Sequence, residues 1–226
     1  MLGVFLRLAT DTLLVALTLF GPAQTLAWPR AWALLILLFV VRAIGAVAVY
    51  RVHPMLMRER ARLPLHTAQR WPDRMLLLAV LATGFLGLPL VSALDVFHWR
   101  VLPGPPPILS VSGLALFCLG WTLKTLALRA NAFAVSVVRL QSERAHGVVD
   151  SGPYAVVRHP FYAADPLILV GLSLWLGSSL AVLCSVIPIA LMLTRLRGEE
   201  RFLCQNLPGY SAYTERVRFK LLPGVW

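Results

Sequence analysis

Between Pro166 and Thr194 the chain carries no charged residue, and both ends of this stretch open onto ionisable clusters. One helix through all 29 residues would be about 43 Å long at about 1.5 Å per residue. That overshoots a membrane hydrocarbon core of about 30 Å. Loop charge adds a second constraint. Residues 51–74 carry six Arg, 128–161 carry four and 195–226 carry six basic groups, whereas 21–30 and 95–107 carry only Arg30 and Arg100. Basic loops stay on the cytoplasmic side, so a single crossing would deliver the last basic segment to the wrong face. A helical hairpin over 163–194, broken near Gly177-Ser178-Ser179 and bent in its second arm by Pro188, satisfies both constraints. It also returns Arg195 and Glu199 to the membrane face that holds His159 and Tyr162.

The rest of the chain agrees with a membrane setting. Hydrophobic residues make up 58% and charged residues 14%, against about 45–50% and about 25% in soluble domains. Further apolar segments fall near 8–27, 31–50, 75–94 and 108–127. The expected fold is therefore all-α: a multi-pass helical bundle of about six spans with no Rossmann domain, since no Gly-x-Gly-x-x-Gly follows a strand. It divides into a four-span region, 1–127, and a region 128–226 made of a cytoplasmic loop, the hairpin and an amphipathic tail from Arg201 to Trp226 lying on the membrane surface. The apolar stretch after Arg7 reads as a retained first span, because Asp11 interrupts it. The net charge of +11 points to lipid headgroups as partners, not nucleic acid. Cys118, Cys184 and Cys204 have no CxxC spacing, so neither a disulfide framework nor a metal site is expected.

Two clusters carry chemistry. The first is Gly152-Pro153-Tyr154 leading to Arg158-His159-Pro160-Phe161-Tyr162, with Pro160 set to open a helix. Taken alone, this trio of cation, imidazole and phenol serves equally well as an interfacial anchor. The similar Arg51-Val52-His53-Pro54 lacks the flanking tyrosines and reads as a loop feature. The second cluster is Arg195 with Glu199, spaced i, i+4 and so sharing a helix face, followed by Glu200, which points elsewhere. Ionisable groups at membrane depth mark a site by default. Asp165 reads as a snorkelling acid near Arg158 or as a site group, Asp11 and Arg42 as a pair across the first two spans, and Lys124 as a snorkelling cation.

Gln141 to Tyr213 resembles the isoprenylcysteine carboxyl methyltransferases, part of a wider set of membrane methyltransferases that includes phospholipid N-methylating enzymes. The matching pattern is His146-x-x-Val149, Gly152-x-Tyr154, Arg158-His159-Pro160-x-Tyr162, Glu199-Glu200-x-x-Leu203 and Gly209-Tyr210-x-x-Tyr213. The resemblance implies an S-adenosylmethionine-dependent methyltransferase acting on a lipophilic or lipidated acceptor; the basic loops put its site at the cytoplasmic face, and the high ratio of Arg to Lys points to a bacterial inner membrane. It implies cofactor binding by Gln141, His146, Gly147, Val148, Val149, Tyr154, His159, Pro160, Phe161, Tyr162 and Glu199, with Arg195 facing the acceptor. These roles suit the chemistry: aromatic rings hold a cation against a π face, and a carboxylate accepts from hydroxyl or amine. An ionised carboxylate acceptor needs no general base. An amine acceptor would need one, such as Glu200 or Asp165, and a thiol is a further alternative. A membrane sterol-type reductase using NADPH remains the rival class, with Arg197 and Arg201 available for a 2′-phosphate.

Overall fold

The structure is a computed structural model that describes residues 1–61, 71–135 and 146–226. The described residues form helices, turns and connecting segments, with no strand among them. Helices α1 (Leu2–Ala23) and α2 (Pro29–Tyr50) form the first two spans, and a short α3 (Pro54–Ala61) follows. The third span, Trp71–Trp99, joins α4 (Trp71–Val80) and α5 (Leu88–Leu94) through a π-helical stretch, Leu81–Gly87. Then come α6 (Pro107–Ala130), a 3-10 turn at Gly152–Ala155, and α7 (Pro160–Leu176). The last span, Ser179–Asn206, comprises α8 (Ser179–Cys184) and α9 (Val186–Asn206), and α10 (Tyr210–Arg216) lies beyond it. Five helices are long and apolar enough to cross a membrane, and α7 is the shorter sixth apolar helix. The protein is an all-helical multi-pass membrane protein, as its composition requires.

The hairpin breaks where expected. Gly177 takes φ 89° at the end of α7, a left-handed conformation that only glycine adopts without penalty. Ser178 then caps α8 by accepting from the Ala181 amide at 3.0 Å, and its hydroxyl donates to the buried Asp95 at 2.6 Å. The second arm breaks at Ser185, three residues before Pro188. Proline lacks the N–H that would bond the Cys184 carbonyl, and its ring crowds that carbonyl.

At 17 residues, α7 is about 25 Å long, short for a hydrocarbon core of about 30 Å. It is held by intimate packing on α6 instead of by its own length. A Cβ on Gly171 would lie 2.6 Å from the Gly113 carbonyl oxygen and 2.7 Å from the Phe117 nitrogen. One on Gly120 would lie 2.9 Å from the Ala164 carbonyl oxygen. Small residues at these crossings let the backbones meet, which is how apolar helices associate where lipid offers no hydrophobic drive.

Two boundaries move from the sequence expectation. The third span begins at Trp71, so Asp73 sits in its first turn and not in the preceding loop. α9 continues to Asn206, about three turns past the uncharged stretch, so the tail begins at Leu207 and not at Arg201. Helical hydrogen bonding does not stop where apolarity stops. The tail's apolar face is also committed internally: Leu207, Tyr210, Tyr213 and Val217 are buried together against Val148 and Leu203.

Candidate active site

A cavity of about 400 Å³ opens between the tail, α7, α9 and the N-terminal helices. Its walls include His146, Gly147, Val148, Val149, Tyr154, His159, Phe161, Tyr162, Arg195 and Glu199. The structure therefore brings together nearly every residue expected to form the site. Pro160 is not on the wall; it is buried at the first position of α7, where it sets the helix start. Gln141 lies outside the described residues.

The hairpin returns α9 beside the N-terminus of α7, and three side chains there form a chain of bonds. The Tyr162 hydroxyl donates to Glu199 Oε2 at 2.5 Å, and Arg195 Nη1 donates to the Tyr162 oxygen at 2.9 Å. The i, i+4 pair is thus bridged by a phenol from another helix. The fork of Arg195 is taken by Asp73, with Nε to Oδ1 at 2.8 Å and Nη2 to Oδ2 at 3.5 Å. With that edge engaged, Arg195 does not offer an acceptor carboxylate a bidentate grip from it.

Glu200, one residue on, does something else. Its Oε1 accepts from Arg158 Nε at 2.7 Å, and its Oε2 meets Lys220 Nζ at 2.7 Å. Arg158 Nη1 also donates to the Val217 and Arg218 carbonyls at 2.7 and 2.8 Å. The Arg158 and His159 amides donate to the Phe219 and Lys220 carbonyls, both at 2.9 Å. These contacts lace the tail over the cavity, and the Tyr213 hydroxyl adds a bond to the Tyr154 carbonyl at 2.7 Å.

Burial holds the His159 imidazole below its ordinary value, against the opposing pull of Glu199 and Glu200. Burial also pushes the Tyr154 and Tyr210 phenols well above theirs. Among the described residues, the site's end under the tail is thus lined by phenol rings and the neutral His159 imidazole, with Glu199 the one carboxylate on the wall there; the cations beside it, Arg158 and Arg195, are held by Glu200 and Asp73. Such a lining suits a ligand that carries a cation together with hydroxyl or amine donors.

Several contributors were missed in the sequence. Asp73 follows Trp71-Pro72, and a proline with an acid in the next position is a helix-start signal that was available. Asn131 and Phe133 also line the cavity, with the His146 ring 4.4 Å from the Phe133 ring; nothing local marks them. Asp165 pairs with Lys124 at 2.6 Å, not with Arg158. Asp11 pairs with Arg42 at 2.5 Å, as expected, and also with Arg7 at 2.9 Å. His53 is a loop feature, bonded through Nε2 to the Arg129 carbonyl at 3.0 Å.

Part of the chain matches a known family by sequence, and the fold as a whole resembles that of a solved membrane enzyme. Residues 108–208 match the phospholipid methyltransferase family model. The fold is similar to that of the eukaryotic intramembrane Ras methyltransferase, an isoprenylcysteine carboxyl methyltransferase. The TM-score is 0.57 at 21% identity, over 97% of this chain and 75% of that one. Over 71 residues the chain is 34% identical to the cobalt-zinc-cadmium resistance protein CzcN of Cupriavidus metallidurans. That stretch is 31% of this chain and 33% of that protein, so the match spans about a third of the relative's length.

Proposed function

We propose that this protein methylates a lipophilic acceptor with S-adenosylmethionine, and that the acceptor is a carboxylate such as that of an isoprenylated cysteine or a similar lipid-like acid. The observation that carries the reading is the ring-lined cavity beneath the tail, with Glu199 the one carboxylate on its wall at that end among the described residues, fixed by Tyr162. When bound, S-adenosylmethionine supplies an electrophilic methyl group on a sulfonium.

The chain's own residues supply the rest. Glu199 accepts from hydroxyl or amine donors, and its orientation is set by the Tyr162 hydroxyl. Tyr154, His159, Tyr162 and Tyr210 line the wall with π surface, and a neutral His159 adds no competing charge. With the tail laced over the site, rate would come from positioning and desolvation. Arg195, held by Asp73 and Tyr162, keeps its Nη1 edge beside the phenol, on the cavity wall where it would face the acceptor.

An ionised acceptor fits better than an amine. An amine must lose a proton, yet both candidate bases are engaged: Asp165 with Lys124, and Glu200 with Arg158 and Lys220. The match to phospholipid methyltransferases keeps amine transfer as the second reading. For NADPH, Arg197 and Arg201 would have to meet a 2′-phosphate, but both are exposed and off the cavity wall. We further propose that the site faces the cytoplasm, with the basic loops.

The test is calorimetric titration of the detergent-purified protein with S-adenosylmethionine, its demethylated product and NADPH. Saturable binding of the first two, weakened in Glu199→Gln, is expected. Binding of NADPH alone would move the protein to the reductases.

A further inference from the structure

The cavity has a second lobe, built by residues outside the methyltransferase motifs. From Phe161 it extends among α1, α2, α3 and α6, past the apolar side chains of Val4, Leu8, Ala46 and Val49. Three cations line its polar wall in an unbroken series of ring contacts. Arg60 from α3 lies 4.8 Å from the centre of the Phe161 ring, and Lys124 from α6 lies 4.0 Å from the same ring. Lys124 is also 5.8 Å from the centre of the Trp121 ring, and Arg42 from α2 is 5.3 Å from that ring.

Their charge is not balanced locally. Arg7, Arg42, Arg60 and Lys124 line the lobe with only Asp11 and Asp165 as carboxylates among the described residues. Asp11 is shared by Arg7 and Arg42, and Asp165 is held by Lys124. Among the described residues Arg60 has no carboxylate in ion-pair contact; its guanidinium donates to the Ala134 carbonyl at 2.6 Å and rests on Phe161. Burial, helped by the neighbouring cations Arg195 and Arg42 and opposed by Tyr154 and Asp165, pushes Arg60 down to about 10. Two buried donors on the same wall, Arg42 Nη1 and Trp121 Nε1, have no hydrogen-bond partner among the described residues. Buried charge and buried donors are retained when something satisfies them.

We propose that this lobe is an anion-binding subsite that holds the negatively charged headgroup of an amphiphilic acceptor, through Arg60, Arg42 and Lys124, with the tail running along the apolar side. The identification of the bound amphiphile as the acceptor rests on the methyl-transfer reading; the anion site itself does not. The chemistry shared by a carboxylate and a phosphate ester is what the lobe recognises. It also gives the N-terminal spans a function, since α2 and α3 supply two of the three cations.

The test titrates the purified protein, in a neutral maltoside detergent, with oleate, dioleoyl phosphatidate and uncharged oleyl alcohol. Both anions, or whichever headgroup fits, are expected to bind at least about tenfold tighter than the alcohol, and Arg60→Gln to remove about tenfold of that affinity. Affinity for S-adenosylmethionine in Arg60→Gln is expected to stay within about twofold of wild type. Preference for phosphatidate identifies a phosphate-bearing lipid and preference for oleate a carboxylate. Asp165→Asn, which releases Lys124, is expected to tighten anion binding, and it keeps the test open if Arg60→Gln fails to fold. Equal binding of alcohol and anions, or anion affinity unchanged by Arg60→Gln and not raised by Asp165→Asn, would overturn the proposal. Anion binding through Arg60 without S-adenosylmethionine binding would leave the subsite standing and remove the methyl-transfer reading. The converse pattern would do the reverse.

Discussion

Glu199 and Glu200 are adjacent in sequence, yet the structure gives them separable jobs, and Glu200→Ala against Glu199→Gln measures the separation. Arg158 and Glu200 are 8% and 7% exposed, and Glu200 takes both Arg158 and Lys220. Removing one partner of a buried pair costs about 3–5 kcal/mol, because the other charge is left uncompensated. Two features put Glu200→Ala at the lower end. Arg158 keeps the Val217 and Arg218 carbonyls, and Lys220, with its side chain 27% exposed, can turn to solvent. A loss of about 3 kcal/mol in a chain of this size lowers Tm by about 6–12 °C.

Glu199→Gln keeps an oxygen to accept from Tyr162 and should melt within about 2 °C of wild type. Its affinity for S-adenosylmethionine should fall about tenfold or more, the loss expected when a charged acceptor becomes neutral. Thermal unfolding in detergent, followed by fluorescence with and without S-adenosylmethionine, reads both effects. A Glu200→Ala protein that melts with wild type, or a Glu199→Gln protein that loses as much Tm as Glu200→Ala, would refute the assignment.

Three further outcomes follow from the geometry. Gly171→Ala puts a methyl 2.6–2.7 Å from backbone atoms of α6 and should lower Tm by about 2–12 °C through overpacking; Gly21→Ala, with nothing within 4 Å, should not. His159, held below its ordinary value chiefly by burial, takes its proton in the unfolded chain before the folded one. Stability should therefore fall as pH drops below about 6.5, and His159→Gln should flatten that part of a Tm-against-pH curve. Arg195→Ala should leave S-adenosylmethionine affinity within a few-fold and abolish transfer of labelled methyl into extracted lipid, with Asp73→Asn reproducing part of the loss; loss of cofactor affinity instead would reassign Arg195.

The hairpin was legible because two physical limits, bilayer thickness and loop charge, left one solution, and Gly177 supplied the left-handed turn it needed. The residues under the tail were legible because they share one ordered motif with a known family. Asp73 was not, since an acid near a span end looks like loop decoration until α9 brings Arg195 against it. The separate role of Glu200 needed Lys220 and the Val217 and Arg218 carbonyls, partners that local spacing cannot show. The cationic lobe was hidden for the same reason. Arg42, Arg60 and Lys124 stand in three segments: alone, Arg42 reads as the partner of Asp11, Arg60 as one of the orienting loop charges and Lys124 as a snorkelling cation.

The geometry of α9 explains how one helix serves all these contacts. Arg195 and Glu199 lie one turn apart on the face toward Tyr162. Glu200 is rotated about 100° from Glu199, a consequence of 3.6 residues per turn, and so faces Arg158 and the returning tail. A helix that ended with the apolar stretch at Thr194 could present none of them in fixed register. Its continuation to Asn206 couples the membrane anchor, the cavity wall and the closure over it in one rigid element. The opposite wall comes from α2, α3 and α6, which carry the cations. The motif-bearing region therefore builds one end of the cavity, and the N-terminal spans are needed to complete the other.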